Sequence, residues 1–305
     1  MHVLGIDENG LGPRLGPLVA TAVAIEVDVY EARALARRAA RAGIGDSKAT
    51  AGFGKMEMAE SLALALAEGV LGRVPAHSDE LVDAIAVDGA LALQARCPSQ
   101  TAPQCWSEAV ALPVFGGDVI HGRKALAKLE RAGVRVRRAR SAIACARAFN
   151  EGVDRWGSKL RVDLSLFEHL MRDARGALGP DLEVICGMVG GMRKYTDFFT
   201  AITPDRLEML EETRGKSRYR VADLGHVAFE VDSDASHLPV ALASMLGKYV
   251  RELGMYRQNA FYRRHAPHLP EVSGYHDPIT TGFVDATRML RRKLAIDPRC
   301  FERES

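Results

Sequence analysis

An acidic pair lodged between two apolar runs constrains this chain more than any other feature. His2-Val3-Leu4 leads into Gly5-Ile6-Asp7-Glu8-Asn9-Gly10-Leu11-Gly12-Pro13, and a second apolar run follows from Leu18 to Val27. The pattern predicts two strands, over 2–8 and 17–27, joined by a Gly/Pro turn and paired antiparallel. Two carboxylates at the end of a buried strand are costly unless something binds them. Gly10, Gly12 and Pro13 make a turn poor in side chains, where backbone can approach a ligand closely. Taken alone, such a pair is usually a solvated turn. The Gly10, Gly12, Gly16 spacing imitates a dinucleotide loop, but the spacing is wrong, Pro13 interrupts it, and two carboxylates would face a pyrophosphate.

Further along, Ala, Leu and Arg at helical spacing predict a helix over 29–42, with Asp28 as a cap and Gly43 and Gly45 ending it. Asp46-Ser47-Lys48 then either caps a helix running to about Glu68 or brings the Lys48 cation to the acidic turn or to a phosphate. Residues 70–140 read as an insertion or elaboration. It has a helix over 78–95, a loop-like stretch over 96–118, a helix over 123–132 and a strand over 134–140. Helices are expected over 141–154 and 161–174. Leu182 to Cys186 reads as a buried strand ending at Gly187. The charged stretch over 204–219 reads as exposed helix then loop. Val227 to Asp232 alternates as a strand does, with Asp234 just beyond it, and Leu238 to Leu253 is strongly helical. Gly274-Tyr275-His276-Asp277-Pro278 is a turn before a basic helical tail.

At 305 residues, 47% hydrophobic and 26% charged, the chain has the composition of a soluble globular protein with ample core. A net charge of +2 does not argue for nucleic acid, so any such surface must come from clustering. Arg33 to Arg41 and Arg135 to Arg140 are the candidates, and solvated faces are the plainer reading of both. The five cysteines form an odd set without C-x-x-C spacing, which disfavours a disulfide framework or a zinc knuckle. Cys97 and Cys105 share a polar loop where they could pair or bind metal, with free thiols as the default. No basic-then-apolar leader and no membrane-length apolar run are present, so a cytoplasmic, membrane-free protein is expected.

Three separated segments resemble one family. Gly5 to Pro13, with Gly16-Pro17 after it, resembles the N-terminal motif of type 2 ribonucleases H, the ribonuclease HII family. Asp46-Ser47-Lys48 looks like that family's Asp-Ser-Lys segment. Asp234, followed by Ala241 to Glu252, resembles its last catalytic Asp and the helix after it, and Gly274-Tyr275 fits its Gly-Tyr turn. The match covers residues 2 to about 70 and about 225 to 285.

The resemblance implies an α/β fold. It is a ribonuclease H-like mixed sheet of five strands flanked by helices, as a single domain over 1–305 with a C-terminal helical part from about 238. It also implies cleavage of the RNA strand in RNA/DNA hybrids, or at ribonucleotides embedded in DNA, by a monomer using Mg²⁺ or Mn²⁺. On that carry-over Asp7, Glu8 and Asp234 hold the ions. Backbone of Gly10, Leu11 and Gly12 lies near the 2′-hydroxyl, which distinguishes RNA from DNA. Ser47, Lys48, Lys248 and Tyr275 contact substrate, with Arg251 a further candidate cation.

The chain also departs from the family. The third family carboxylate ends an apolar strand before a Gly, and here Cys186-Gly187 stands there; Cys186 is the matching position, and a one-residue slip makes it Gly187. Leu11 replaces the family's Arg. Losing one of four carboxylates should weaken at least one ion site. Asp232, Glu230 or Asp197 are candidates to compensate, and Cys186 reads either as a softer ligand for an ion such as Zn²⁺ or as a small buried apolar residue. A nuclease is therefore expected, weakened by the loss of that carboxylate. A non-catalytic relative that binds nucleic acid or a protein partner is the alternative, and a small-molecule role on the same fold is a distant third.

Overall fold

The structure, a computed structural model, describes residues 1–41 and 56–304. Asp46, Ser47 and Lys48 lie outside the described residues. The chain runs β1 (His2–Asn9), β2 (Leu18–Glu26), α1 (Ala32–Arg41), α2 (Glu57–Leu71), α3 (Ser78–Ile85), α4 (Ala90–Gln94), α5 (Val119–Arg131), β3 (Arg135–Ala144), α6 (Ala146–Trp156), α7 (Lys159–Leu178) and β4 (Leu182–Gly187). It continues through β5 (Leu207–Glu212), β6 (Lys216–Val221), β7 (Gly225–Glu230), α8 (Ser233–Ser236), α9 (Leu238–His265), α10 (Pro278–Ala286), α11 (Arg288–Lys293) and α12 (Pro298–Phe301).

The strands form one mixed sheet in the order β3-β2-β1-β4-β7-β6-β5. β1 and β2 pair antiparallel as the turn predicts, and β4 lies parallel to both β1 and β7. These central strands are apolar on both faces, as strands covered by helices on each side must be. Alternation along β1 sends Leu4 and Ile6 into a core with Leu164 and Phe167 of α7, and Val3 into the opposite core with Val240 and Leu242 of α9. A β-carbon on Gly5 would overlap the Pro239–Val240 peptide. Its absence lets the first turn of α9 rest directly on β1, which sets Ser244 over the strand's acidic end.

Among the described residues seven strands replace the five expected, because β5 and β6 add an antiparallel hairpin beyond β7. After a single 3-10 turn at Pro204–Arg206, the stretch over 204–219 is therefore mostly strand, not helix then loop. Its charges mark a strand face: Glu208 lies opposite Arg220, and their side chains pair at 3.0 Å. β3 likewise extends through Ala144 where a helix was expected, held by the ladder to β2 and by a Thr21 to Ser141 hydroxyl bond of 2.8 Å. The helix expected over 78–95 is two helices, parted where the Val87 N–H donates to the Ser141 carbonyl at 2.8 Å. Arginines of β3 are engaged within the protein: Arg138 grips Asp173 with two bonds, and Arg135 and Arg137 reach Glu26. Among the described residues no helix is long and apolar enough to cross a membrane.

Candidate active site

The ends of β1, β4 and β7 and the start of α9 border an open cavity of about 440 Å³ whose lining includes Asp7, Glu8, Gly187, Asp234, Ser244 and Lys248. Asp7 and Asp234, remote in sequence, meet there because β7 ends beside β4 and the short α8 turns the chain back toward α9. Burial is the main cause that pushes the Asp7 carboxyl up to about 7. A hydrogen bond with the Ser244 side chain opposes that rise, and the charges of Glu8 and Asp234 add to it. Asp234 is partly exposed.

β1 keeps its ladder with β2 through Asn9, so the backbone does not turn between the two acids. Asp7 projects to the α9 face and Glu8 to the α7 face. They flank the strand end and line one cavity from opposite sides. Burial also raises the Glu8 carboxyl, opposed by the Leu11 N–H that bonds to it and by the Arg303 charge. The Leu11 amide, expected near a ribose, thus serves Glu8 in this structure.

Gly10 takes φ +95, and a β-carbon there would fall 2.8 Å from Arg251 Nε. Its carbonyl accepts from Arg303 Nη1 at 2.6 Å, and Arg303 also donates to the Pro13 carbonyl. Gly12 is exposed, and no described residue occupies the place where its side chain would be. The Gly274 carbonyl accepts from the N–H groups of Arg14 and Leu15 at 2.8 and 3.0 Å, which sets the second turn against the first. Tyr275 is 49% exposed, and the buried Arg251 lies 4.8 Å from its ring centre. Gly10, Gly12 and Tyr275 therefore share one rim, and Lys248 lies in the cavity beside the acids.

The β1–β4 register settles which residue faces Asp7. Ile6 lies opposite Cys186, and both belong to the core on the α7 face. Gly187, the next residue, is on Asp7's side, and a β-carbon there would overlap Asp7 Oδ1. Cys186 is 0% exposed, so the structure gives it the place of a small apolar residue and not of a ligand. Of the compensating acids, Glu230 is bound to His237 and Lys216, with the His237 bond first among the causes that hold its carboxyl down at about 2. Asp232 lines the cavity, whereas Asp197 is not part of its lining.

One residue was missed. Asp163 of α7 is 0% exposed, and among the described residues neither of its oxygens has a hydrogen-bond partner. Burial drives its carboxyl far up, with the charges of Glu8 and Asp7 adding to the effect. The available signal was positional: Asp163 occupies the apolar stripe that runs through Leu160, Leu164, Phe167 and Leu170. Among the described residues no group of three or more His, Cys, Asp or Glu side chains is already gathered to hold a metal ion.

No family model matches the chain, and no curated protein matches it. Solved structures do. Bst-RNase HIII in complex with Mn²⁺ superposes with a TM-score of 0.50 at 14% identity, over 99% of this chain and 66% of that one. The RNase HII of Archaeoglobus fulgidus, solved in a PCNA:RNase HII complex, gives 0.45 at 15% identity over 99% and 93%. Ribonuclease H2 from Pyrococcus horikoshii OT3 gives 0.47 at 14% over 99% and 92%. At these identities the likeness is one of fold: a ribonuclease H-like mixed sheet flanked by helices, as in the type 2 enzymes.

Proposed function

We propose that the chain is a nuclease of the type 2 ribonuclease H kind, a divalent-cation-dependent hydrolase of the RNA strand in RNA/DNA hybrids or of ribonucleotides embedded in DNA. The observation that carries this reading is the meeting of Asp7 and Asp234 in one cavity beside the rim formed by Gly10, Gly12 and Tyr275. A buried carboxylate raised to about 7, next to two more acids, is an arrangement that a cation relieves. Mg²⁺ and Mn²⁺ suit such oxygen donors, and Mg²⁺ keeps several waters and commonly takes one or two carboxylates plus substrate phosphates. The residues fit that kind of site, completed by the substrate, better than a protein cage built in advance for two ions. Asp7, Asp234 and Glu8 are the residues that would hold a divalent ion, which would supply activation of water and charge stabilisation at the phosphate.

The chain's own residues set the rest. Lys248 offers a cation to a phosphate, the open backbone at Gly12 admits a sugar edge, and the half-exposed Tyr275 ring offers a stacking face. The same reading carries a single domain over 1–305, acting as a cytoplasmic monomer. Ser47 and Lys48 keep their proposed substrate contacts.

The test is a DNA duplex with one embedded ribonucleotide, incubated with the protein in Mg²⁺ and then in Mn²⁺. Cleavage that disappears in Asp7→Asn is expected, and intact substrate in both metals would overturn the nuclease. The second reading, a relative that binds without cutting, is favoured by Gly187, which brings no acid to Asp7's flank. It predicts duplex retention in a gel shift, with or without chelator, and no cleavage.

A further inference from the structure

Four of the five cysteines lie in neighbouring segments outside the cavity that holds the carboxylates. Cys97 and Cys105 lie in the irregular segment over 95–118, Cys145 immediately precedes α6, and Cys300 is on α12. Gln104 Nε2 donates to the Cys300 carbonyl at 2.7 Å, which holds the Cys105 segment against α12. Arg147 reaches Asp297 at 3.0 Å, and Asn150 donates to the carbonyls of Arg299 and Glu302, so α6 is held there too. Cys105 and Cys145 line one cavity of about 30 Å³ with Trp106 and Arg257. All six pairs among the four thiols are close enough for a charge on one to bear on the other. Cys186 stands apart in the sheet core.

The surroundings suit thiolates. Backbone N–H groups of Ala148 and Arg147, at the start of α6, bond to the Cys145 sulfur. The Arg147 side chain bonds to Cys300, Arg257 faces Cys105, and Arg96 faces Cys145; Glu151 and Asp297 are the acids nearby. Without a metal, burial keeps the thiols protonated and holds Cys97 up at about 11. Four thiolates on one dication carry a net charge of −2, which these arginines offset.

We propose that Cys97, Cys105, Cys145 and Cys300 ligate one tetrahedral zinc-class ion that staples the segment over 95–118 and α12 to the base of α6. An all-sulfur donor set selects zinc or an iron–sulfur cluster. The adjoining cavity of about 30 Å³ is small, which suits a single ion. The four sulfurs are not yet gathered at ligand distance, and binding draws them inward. Two ride on irregular backbone and one on a single-turn helix. Each S–H gives its proton to solvent as a Zn–S bond forms, with no change of oxidation state. The staple has a physical purpose: irregular segments this long are uncommon in compact folds, and closing one limits the freedom of the unfolded chain.

The experiment uses the full chain, purified under reducing conditions without chelator. We expect one zinc per chain by elemental analysis, five thiols titrating in denaturant without reductant after the metal is removed, and a melting temperature lowered by chelator and restored by Zn²⁺ but not by Mg²⁺. Cys105→Ser and Cys300→Ser should reduce bound zinc to background, while Cys186→Ala keeps it. If Ser variants fail to fold, cobalt-loaded wild-type protein must still show thiolate-to-metal charge-transfer absorption. Protein refolded with excess zinc that retains none, or Ser variants that retain it in full, would overturn the proposal. So would recovery of only three thiols or one, which assigns these cysteines to disulfides, or iron with acid-labile sulfide in place of zinc.

Discussion

Asp7 and Gly187 are neighbours across the β1–β4 pair, with the Asp7 carboxylate packed where a Gly187 side chain would be. Gly187 thus admits the acid to the cavity by having no β-carbon. Gly187→Ala should displace Asp7 and cost about 1–3 kcal/mol of stability, read from urea unfolding, with loss of cation-dependent activity. An alanine variant as stable and active as the parent would show that Asp7 does not need this space.

Asp7 should also write a pH signature on stability. Its carboxyl titrates at about 7 in the fold against 3.8 unperturbed. Between those values the folded state holds a proton that the unfolded chain has released, so the Asp7 contribution falls as pH rises through the window. Asp7→Asn removes that loss. Without divalent ions the variant should be more stable than the parent at pH 8, on the order of 2–4 kcal/mol, and the gap should shrink toward pH 5. Thermal melts of both proteins across pH decide it, and a gap that widens at low pH contradicts the assignment. In activity the same proton competes with the cation, so cleavage should rise from pH 6 to pH 8.

Cys186→Asp is the change that restores an acid at the position the family resemblance favours. The register argues that it fails. The new carboxylate would enter the core beside Ile6 and Phe229 and should cost about 3 kcal/mol or more. Circular dichroism and melting would show a weakened or unfolded chain; a stable variant with improved cleavage would reverse the facing argued from the strand pairing.

Tyr275 separates packing from recognition. Its ring is half exposed over Arg251, so Tyr275→Ala should leave melting nearly unchanged while weakening hybrid binding by about 1–3 kcal/mol. Tyr275→Phe should keep most of the affinity. Anisotropy titration with a labelled hybrid reads both, and equal affinity in all three proteins would remove Tyr275 from the substrate surface.

Arg303 tests the loop. It is buried, lies 4.7 Å from the Phe149 ring, and donates to the carbonyls of Gly10 and Pro13. Arg303→Met keeps the bulk and removes the donors. A cost of about 2 kcal/mol and weaker hybrid binding are expected from the same two measurements.

Much of this was legible because its signals are local. The β1–turn–β2 unit declares itself by apolar runs around Gly and Pro, and α9 by its long apolar stripe. The hairpin of β5 and β6 was hidden because Glu208 and Arg220 pair across strands, and a charge ladder looks like a solvated helix until its partner strand is known. At the site, Asp7 and Asp234 were recognisable from motif order. The facing of Cys186 and Gly187 was not, since a one-residue slip in pairing exchanges the two faces. Asp163 was overlooked because an acid in a helix is ordinarily solvent-facing. The cysteines gave no spacing to read, because their proximity depends on α12 returning to the start of α6.

The clasp of Arg303 on Gly10 joins positions 293 residues apart. A chain emerging from the ribosome therefore presents its acidic strand end long before the residue that braces the adjoining turn has been made. Nascent chains shorter than this should carry the turn from Gly10 to Pro13, beside Asp7 and Glu8, without its Arg303 brace. The order of synthesis thereby leaves this turn unbraced until the sheet around the acids is already built.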